Sequence, residues 1–259
     1  MKILVCVKQV PEKDARLRLA SGDEWIVEDG LAYAISECDR YAIEAALRLK
    51  ESGEGEVVVL SLGGERASKG VKEALAMGCD RAIHVQSDDL ARADALTISR
   101  ALAAAAKDES FDVIFTGQQS DDLGYNAVGP MLAERLGMHH VQIVLEIEAS
   151  DGALKVTHEL DNNLVETVEV PMPVVLGVQS GINDVRYASL KGIMQAGAKP
   201  QKKMSLADLG LDESELAPKV SIESVGFPVK SSQATMIEGE PKEAAKILVE
   251  KLIQEAKVL

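Results

Sequence analysis

Short apolar runs alternate with amphipathic runs along the first half of the chain. The runs typical of strands are KILVCVKQV, EVVVLSLG, RAIHVQ and FDVIFTG, and helix-spaced runs cover residues 40–52, 66–77, 93–107 and 127–137. Strands that alternate with helical runs of about 10–15 residues predict βαβ units and a parallel sheet. Runs such as EVVVL are almost wholly apolar, so both faces of the sheet are expected to be covered. The expected fold is therefore α/β, with a doubly wound, mostly parallel sheet.

The pattern changes after Gly137. The runs VQIVLEIEA, ALKVTHEL and VETVEVP alternate apolar and polar residues around the turns SDG and DNN, which predicts an antiparallel meander. PVVLGVQ predicts one further buried strand, and regular structure is expected to thin out from about Gly181. Residues 195–220 are polar, as in a linker or in an arm ordered by another chain. Pro241 begins a predicted C-terminal helix, one face of which carries Ala244, Ile247, Leu248, Leu252 and Ala256.

Charge and cysteine usage narrow the classes of partner and compartment. The chain has 259 residues and a formal net charge of −14, which argues against nucleic acid and against an anionic membrane surface. The sequence contains no run of about 18 apolar residues, so no membrane span is expected. MKILVCVKQVPEKD is expected to be a buried strand rather than a signal peptide. Cys6, Cys38 and Cys79 lack Cys-x-x-Cys spacing, which favours reduced thiols and a cytoplasmic protein. The histidine spacing does not predict a zinc site.

The segment TGQQSDDLGYNAVGP, residues 116–130, links a predicted strand to a predicted helix. In an open parallel sheet, ligands bind beyond the carboxyl ends of the strands, and backbone N–H groups at a helix start hold anions. The segment has no lysine and no G-x-x-x-x-G-K-[ST] pattern, and Asp121 and Asp122 would repel a di- or triphosphate without a metal. Gln118, Gln119 and Ser120 offer neutral hydrogen bonds to a base or ribose. A nucleotide with little phosphate charge is the favoured ligand.

Other interpretations of this loop remain open at the level of sequence. A Gly/Asp/Asn loop at a helix start is often only a cap, and Asn126 is either that cap or a ligand. Asp121 and Asp122 could also form a catalytic carboxylate pair, although no nucleophile or histidine lies nearby in the sequence.

A second candidate segment is NDVRYASLKGIMQAGAKP, residues 183–200. Tyr187, Leu190, Ile193 and Met194 have helix-like spacing. Two interpretations are equally supported: a buried amphipathic helix, and a protruding segment with apolar tips that docks a partner.

Several segments in the same order resemble the β subunit of electron transfer flavoprotein. They are ILVCVKQVP, DRYAIEAALRLKE, EALAMGCDRAIHV, the loop with its VGPMLAERLG helix, and NDVRYASLKGIMQAGAKP; SLADLGL and QATMIEG resemble the methylotroph and related bacterial members. The resemblance implies a sheet of the adenine-nucleotide α-hydrolase-like type with an antiparallel hairpin extension and a C-terminal arm. It also implies a heterodimer with an α subunit that holds most of the FAD, while this subunit binds a structural AMP. Such a complex carries electrons from flavin dehydrogenases to a quinone oxidoreductase or a similar acceptor, and the β subunit alone is not an enzyme.

The resemblance also carries over residue by residue. A nucleotide-binding domain would span residues 1–200, including a partner-recognition loop at 183–200, and residues 201–259 would form an arm and helix that pack on the α subunit. The implied AMP-binding residues are Cys6, Ser36, Glu37, Cys38, Asp39, Leu62, Gly117, Gln118, Gln119, Ser120, Asp121, Asp122, Leu123, Gly124, Tyr125, Asn126, Ala127 and Val128, with the phosphate on N–H groups of the last four. The implied docking residues are Tyr187, Ala188, Ser189, Leu190, Lys191, Gly192, Ile193 and Met194, with Leu190 entering a pocket on the dehydrogenase.

The chain departs from the family pattern at a few positions. Gln118 stands where many members have lysine or arginine, and Lys13 and Cys38 stand where some have aromatic residues against the flavin. The run AGAKP is less basic than in some relatives. Two alternatives follow: an electron-bifurcating relative with a second FAD in the AMP position, and a stand-alone enzyme of the adenine-nucleotide hydrolase-like fold.

Overall fold

The computed structural model of the protein describes residues 1–22, 24–228 and 234–258. Within these residues the chain forms two compact units, Met1–Ser224 and Val225–Leu259.

A nine-stranded sheet forms the centre of the first unit. Its strands are β1 (Lys2–Val7), β4 (Glu56–Gly63), β5 (Arg81–Gln86), β6 (Val113–Gly117), β7 (His139–Ser150), β8 (Ala153–Glu159), β9 (Val165–Pro171), β10 (Val174–Val178) and β11 (Gln201–Met204). Their order in the sheet is β11-β5-β4-β1-β6-β10-β7-β8-β9, and all neighbouring strands from β11 to β7 pair in parallel. The short strands β2 (Gln9–Pro11) and β3 (Tyr33–Ile35) form a separate two-stranded antiparallel sheet.

Helices cover both faces of this sheet. One buried cluster joins the β1 residues Ile3 and Val5 to α1 (Glu37–Glu51) and α2 (Ser68–Met77). The alternate β1 residue Leu4 belongs to a second cluster with α3 (Ala95–Ala106) and α4 (Val128–Leu136). Side chains alternate between the faces of a strand, so the apolar run of β1 serves both layers. The predicted doubly wound α/β fold is confirmed.

The antiparallel extension is also confirmed. β7 pairs with β8, and β8 pairs with β9, in antiparallel register. β10 returns to the parallel part and lies between β6 and β7. The single strand predicted from PVVLGVQ therefore joins the extension to the rest of the sheet.

Regular structure after Gly181 is more extensive than the sequence predicts. A helix α5 (Leu190–Ala196) precedes β11, which pairs with β5 in parallel, and a short α6 (Glu213–Leu216) follows behind a capping box at Asp212. The polar run Gln-Lys-Lys at β11 gives no strand pattern, because an edge strand can keep polar side chains in solvent. Residues 201–224 belong to the first compact unit, so the arm expected from residue 201 leaves that unit only after Ser224.

The second unit contains the predicted C-terminal helix. α7 spans Pro241–Lys251 and continues as a π-helical segment, Leu252–Ala256. Pro241 occupies its first turn, where the missing N–H has no helical acceptor to lose. On the predicted apolar face, Ile247 and Leu248 are 38% and 47% exposed. The parts of the predicted arm at 229–233 and 259 lie outside the described residues.

Candidate functional site

The residues predicted to bind a nucleotide come together at the point of the sheet where the order of the strands reverses direction. From β1 the chain passes through α1 to β4 on one side, and α3 later crosses to β6 on the other side of β1. The carboxyl ends of β1, β4 and β6 and the starts of α1 and α4 therefore meet at one edge, where open α/β sheets bind ligands. All the residues implied for AMP binding lie on these ends or on the loop before α4.

Asp39 ties this edge together. Its carboxylate accepts a hydrogen bond from the Lys8 N–H at 2.7 Å, just beyond β1, and one from the Gly117 N–H at 3.0 Å, at the end of β6. The residue is 7% exposed. Burial raises the pKa of Asp39 to about 7, against the opposing effect of the two N–H donors. A side chain at position 117 would place its Cβ 2.4 Å from Asp39 Oδ1, so only glycine fits there.

Asp121 and Asp122 bind protein groups. The Glu37 N–H donates to Asp121 Oδ2 at 2.7 Å, and the Asp121 N–H donates to the buried Ser36 Oγ at 3.2 Å, so the loop caps the start of α1. Lys8 Nζ donates to Asp122 Oδ1 at 2.7 Å. Burial alone would raise the pKa of Asp122, but the Lys8 ammonium lowers it below its usual value. These contacts give both carboxylates a structural role and argue against a catalytic pair.

The start of α4 is open to a ligand. Its N-cap is Ala127, and no side chain of the described residues caps its first turn. The first N–H groups of a helix have no acceptor within the helix, and a helix start favours an anion. Asn126 is not the cap: it lies one residue earlier with φ of 50°, and its Oδ1 accepts from Gln142 Nε2 at 2.7 Å. A buried polar atom, Thr116 Oγ, also lacks a protein partner among the described groups.

Gln118 is held by its backbone. Its N–H donates to the Val178 carbonyl at 2.9 Å, and its carbonyl accepts from Gln142 Nε2 at 3.1 Å. Gln118 lines an open groove of about 470 Å³ beside the turn between β8 and β9. This position therefore faces both the loop and the antiparallel extension.

Two further residues implied for AMP binding, Cys6 and Cys38, are buried. Cys6 and Cys38 are each 7% exposed, and burial raises the pKa of both thiols above the usual value. All three cysteines are free thiols in the structure. Lys13 pairs with Glu37, next to Cys38 in sequence. Two residues that are not among those implied for AMP binding also contact this loop: Lys8, which follows β1, and Gln142 of β7.

The second predicted segment is exposed. Tyr187, Leu190, Ile193 and Met194 are 89%, 76%, 57% and 76% exposed. The interpretation as a buried amphipathic helix is wrong, because α5 buries only Ala196. Four large apolar side chains within eight residues form a surface suited to a protein partner. We call these four residues the apolar patch.

Two classes of site find no support in the described part of the chain. It contains no group of three or more His, Cys, Asp or Glu side chains placed to hold a metal ion. None of its helices combines the length and apolar character needed to cross a bilayer.

The sequence of this chain is similar to those of known proteins over nearly its whole length. Residues 24–209 match the family described as "Electron transfer flavoprotein domain". The chain is 38% identical to the electron transfer flavoprotein subunit beta of Methylophilus methylotrophus, over 96% of this chain and 97% of the relative. It is 35% identical to the subunit beta of Bacillus subtilis strain 168 over the whole of both chains, and 36% identical to that of Syntrophomonas wolfei over 100% and 98%. With full-length relatives at this identity and the domain match over most of the fold, the chain belongs to the family of electron transfer flavoprotein β subunits.

Proposed function

We propose that this subunit binds one AMP as a structural ligand and docks flavin dehydrogenases, while an α subunit holds most of the FAD. The complex then carries electrons to a quinone oxidoreductase or a similar acceptor in the cytoplasm. The observation that supports AMP most directly is the start of α4, which follows the loop after β6 and has no side-chain cap.

The charges around the loop favour a monophosphate. Lys8 is engaged by Asp122, so it is not a free counter-ion for a polyphosphate. A single phosphate can be held by N–H groups of residues 125–128 and the dipole of α4, without the lysine or the metal that a triphosphate needs. Gly117 lets the backbone of the loop approach the start of α1 closely, as a snug nucleotide pocket requires.

The protein groups would hold and orient AMP and perform no chemistry on it. Asp39 fixes the ends of β1 and β6, and Asp121 fixes the loop against α1. Gln119 and Ser120 lie on the same loop and offer neutral donors and acceptors to the base or ribose. The redox chemistry belongs to the flavin when it is bound, so this subunit contributes binding and orientation.

The docking role is supported by the exposure of the apolar patch. A large apolar surface in solvent is costly unless a partner covers it at times. A small patch suits a carrier, because a transient complex must also dissociate. The exposed apolar face of α7 supports a separate role, the packing of the C-terminal arm on the α subunit.

Nucleotide release tests the AMP assignment. The αβ complex is purified and denatured, and its nucleotides are counted. One AMP and one FAD per heterodimer are expected, whereas two FAD would replace the AMP assignment with the electron-bifurcating alternative. A lone chain that hydrolyses ATP would instead support the stand-alone enzyme.

A matched pair of variants locates the phosphate. Ala127→Asp places a carboxylate at the N-cap, where it can accept the free N–H groups and repel phosphate. Ala127→Ser supplies a neutral cap of similar size. Loss of AMP with retention of FAD in the aspartate variant, and retention of AMP in the serine variant, is expected. Full AMP content in the aspartate variant would place the phosphate elsewhere.

A further inference from the structure

The apolar patch lies on a segment that is anchored at both of its ends. We define the docking segment as residues 186–199, which contain α5 and the apolar patch. Its first residue contacts α1, and its last residue contacts α2. The exposed side chains project from the stretch between these two anchors.

The first anchor is Arg186. Its Nε donates to Glu44 Oε2 at 2.7 Å, and its other guanidinium nitrogens reach Glu51 at 2.5 and 2.9 Å. The Glu44 side chain is 3% exposed and also accepts from Arg48 Nε at 2.7 Å. A fork of this kind fixes the orientation of both partners, because a guanidinium matches a carboxylate in a plane. Just upstream, Asn183 Nδ2 donates to the Tyr41 carbonyl at 3.1 Å.

The second anchor is Lys199. Its ammonium donates to the carbonyls of Leu75 and Cys79 at 2.8 and 2.6 Å. Leu75 lies in the last turn of α2 and Cys79 just beyond it. The last C=O groups of a helix lack N–H donors within the helix, and a cation is favoured there. Lys199 is therefore a C-terminal cap for α2 that is supplied from the docking segment.

The middle of the segment packs closely on α2 through its backbone, and Ala188 packs against the core just before α5 begins. A Cβ on Gly192 would lie 2.1 Å from the Ala76 carbonyl oxygen, so α5 approaches the last turn of α2 closely. Ala196 is the buried residue of α5. A helix of this length is marginal by itself in water, and one small buried side chain adds little. Contacts at its ends therefore contribute to the orientation of α5.

We propose that Arg186 and Lys199 are positioning residues for partner docking: they hold α5 in one orientation and keep the apolar patch presented to the dehydrogenase. This inference rests on the docking role proposed above. Neither residue needs to touch the partner. A patch that is already ordered loses less entropy when a partner binds, so the two anchors raise affinity without adding a contact.

The test uses the complete αβ complex in wild-type, Lys199→Met and Arg186→Lys forms. Lys199→Met keeps the length of the side chain and removes the donor, and Arg186→Lys keeps the charge but loses the planar fork. The matched control is Lys202→Met, which removes the same charge from an exposed side chain of β11. Electron transfer is measured with a flavin dehydrogenase that reduces the wild-type complex, and hydrogen exchange is measured at the amides of residues 192–196.

Both anchor variants are expected to raise the KM for the flavoprotein about fivefold, as when only a fifth of the molecules present the competent surface. kcat should stay within about twofold, since a bound complex reacts as before. Exchange at residues 192–196 should become faster in the same variants, and Lys202→Met should change neither quantity. Restoration of KM by Lys199→Arg would support the cap of α2 as the cause.

Two results would overturn the inference. The first is a KM in the anchor variants equal to that of Lys202→Met. The second is a raised KM without faster exchange, which would mean that the side chains contact the partner directly. Leu190→Ala distinguishes failure of the positioning role from failure of the docking role. A normal KM in Leu190→Ala refutes docking by the apolar patch. A raised KM in Leu190→Ala, together with an unchanged KM in both anchor variants, refutes only the positioning role.

Discussion

Truncation of Leu190 to alanine is the most direct perturbation of the apolar patch. The change removes three carbons, each worth about 0.8 kcal/mol when fully buried. Because Leu190 is 76% exposed in the free chain, about three-quarters of this energy is available to a partner, or roughly 1.8 kcal/mol. That energy corresponds to a fall of about twentyfold in kcat/KM for electron transfer from the dehydrogenase.

The assay is reduction of the αβ complex at concentrations well below KM, with the initial rate read from flavin absorbance. Flavin content, heterodimer assembly and Tm should match the wild type, because an exposed side chain contributes little to stability. The matched control is Leu164→Ala, which removes the same atoms from a leucine that is 61% exposed at the turn before β9. An unchanged kcat/KM for Leu190→Ala, or an equal loss in the control, would refute the docking assignment.

Three further predictions concern Gly117, Asp39 and the ion pair between Glu109 and Arg81, which lies at the opposite end of the strands. Gly117→Ala brings a Cβ to within 2.4 Å of Asp39 Oδ1. The variant should contain less AMP, as measured by nucleotide release, and should lose about 1–3 kcal/mol of unfolding free energy, as measured by denaturant titration. Normal values for both would show that the structure around Asp39 can relax. Folding raises the pKa of Asp39 from 3.8 to about 7. The unfolding free energy of the wild type minus that of Asp39→Asn should therefore fall as the pH rises between these two values, by at most about 1.4 kcal/mol per pH unit. A difference that rises instead would show that the fold stabilises the carboxylate as an anion. The hydrogen bond from Arg81 lowers the pKa of Glu109 from 4.5 to about 2. The unfolding free energy of the wild type should therefore exceed that of Glu109→Gln by its full amount above pH 4.5, and this difference should disappear as the pH falls towards about 2. A difference in denaturation curves that does not change with pH would contradict the ion pair.

The parallel sheet could be predicted from sequence because its strands carry their environment in their composition. EVVVLSLG and RAIHVQ match β4 and β5 at both ends, since nearly continuous apolar runs leave few alternative placements. β11 could not be predicted, because Gln201, Lys202 and Lys203 lie on an edge strand that is specified by backbone pairing with β5. The earlier start of α1, at Glu37 rather than Arg40, depends on a cap supplied by Asp121 from a distant loop.

The place where the candidate residues come together was predictable from the sequence, whereas most of their hydrogen bonds were not. The loop before α4 follows from the general placement of ligands in open sheets. The partners of its carboxylates do not, because Lys8 reaches Asp122 across 114 positions of the sequence. The exposure of the apolar patch was also undecidable from spacing, since a buried and a docking helix share the same periodicity.

The place of β10 has a consequence for synthesis on the ribosome. Along the chain, β6 is followed by α4 and then by β7. In the sheet, however, β10 (residues 174–178) lies between β6 and β7. Until those residues leave the exit tunnel, β6 and the parallel edge of β7 both present unpaired backbone groups. β10 is the last of these three strands to be made, and it pairs with both of the others. The centre of the sheet is thus closed by an inserted strand, and only β11 is added later, at the edge beside β5.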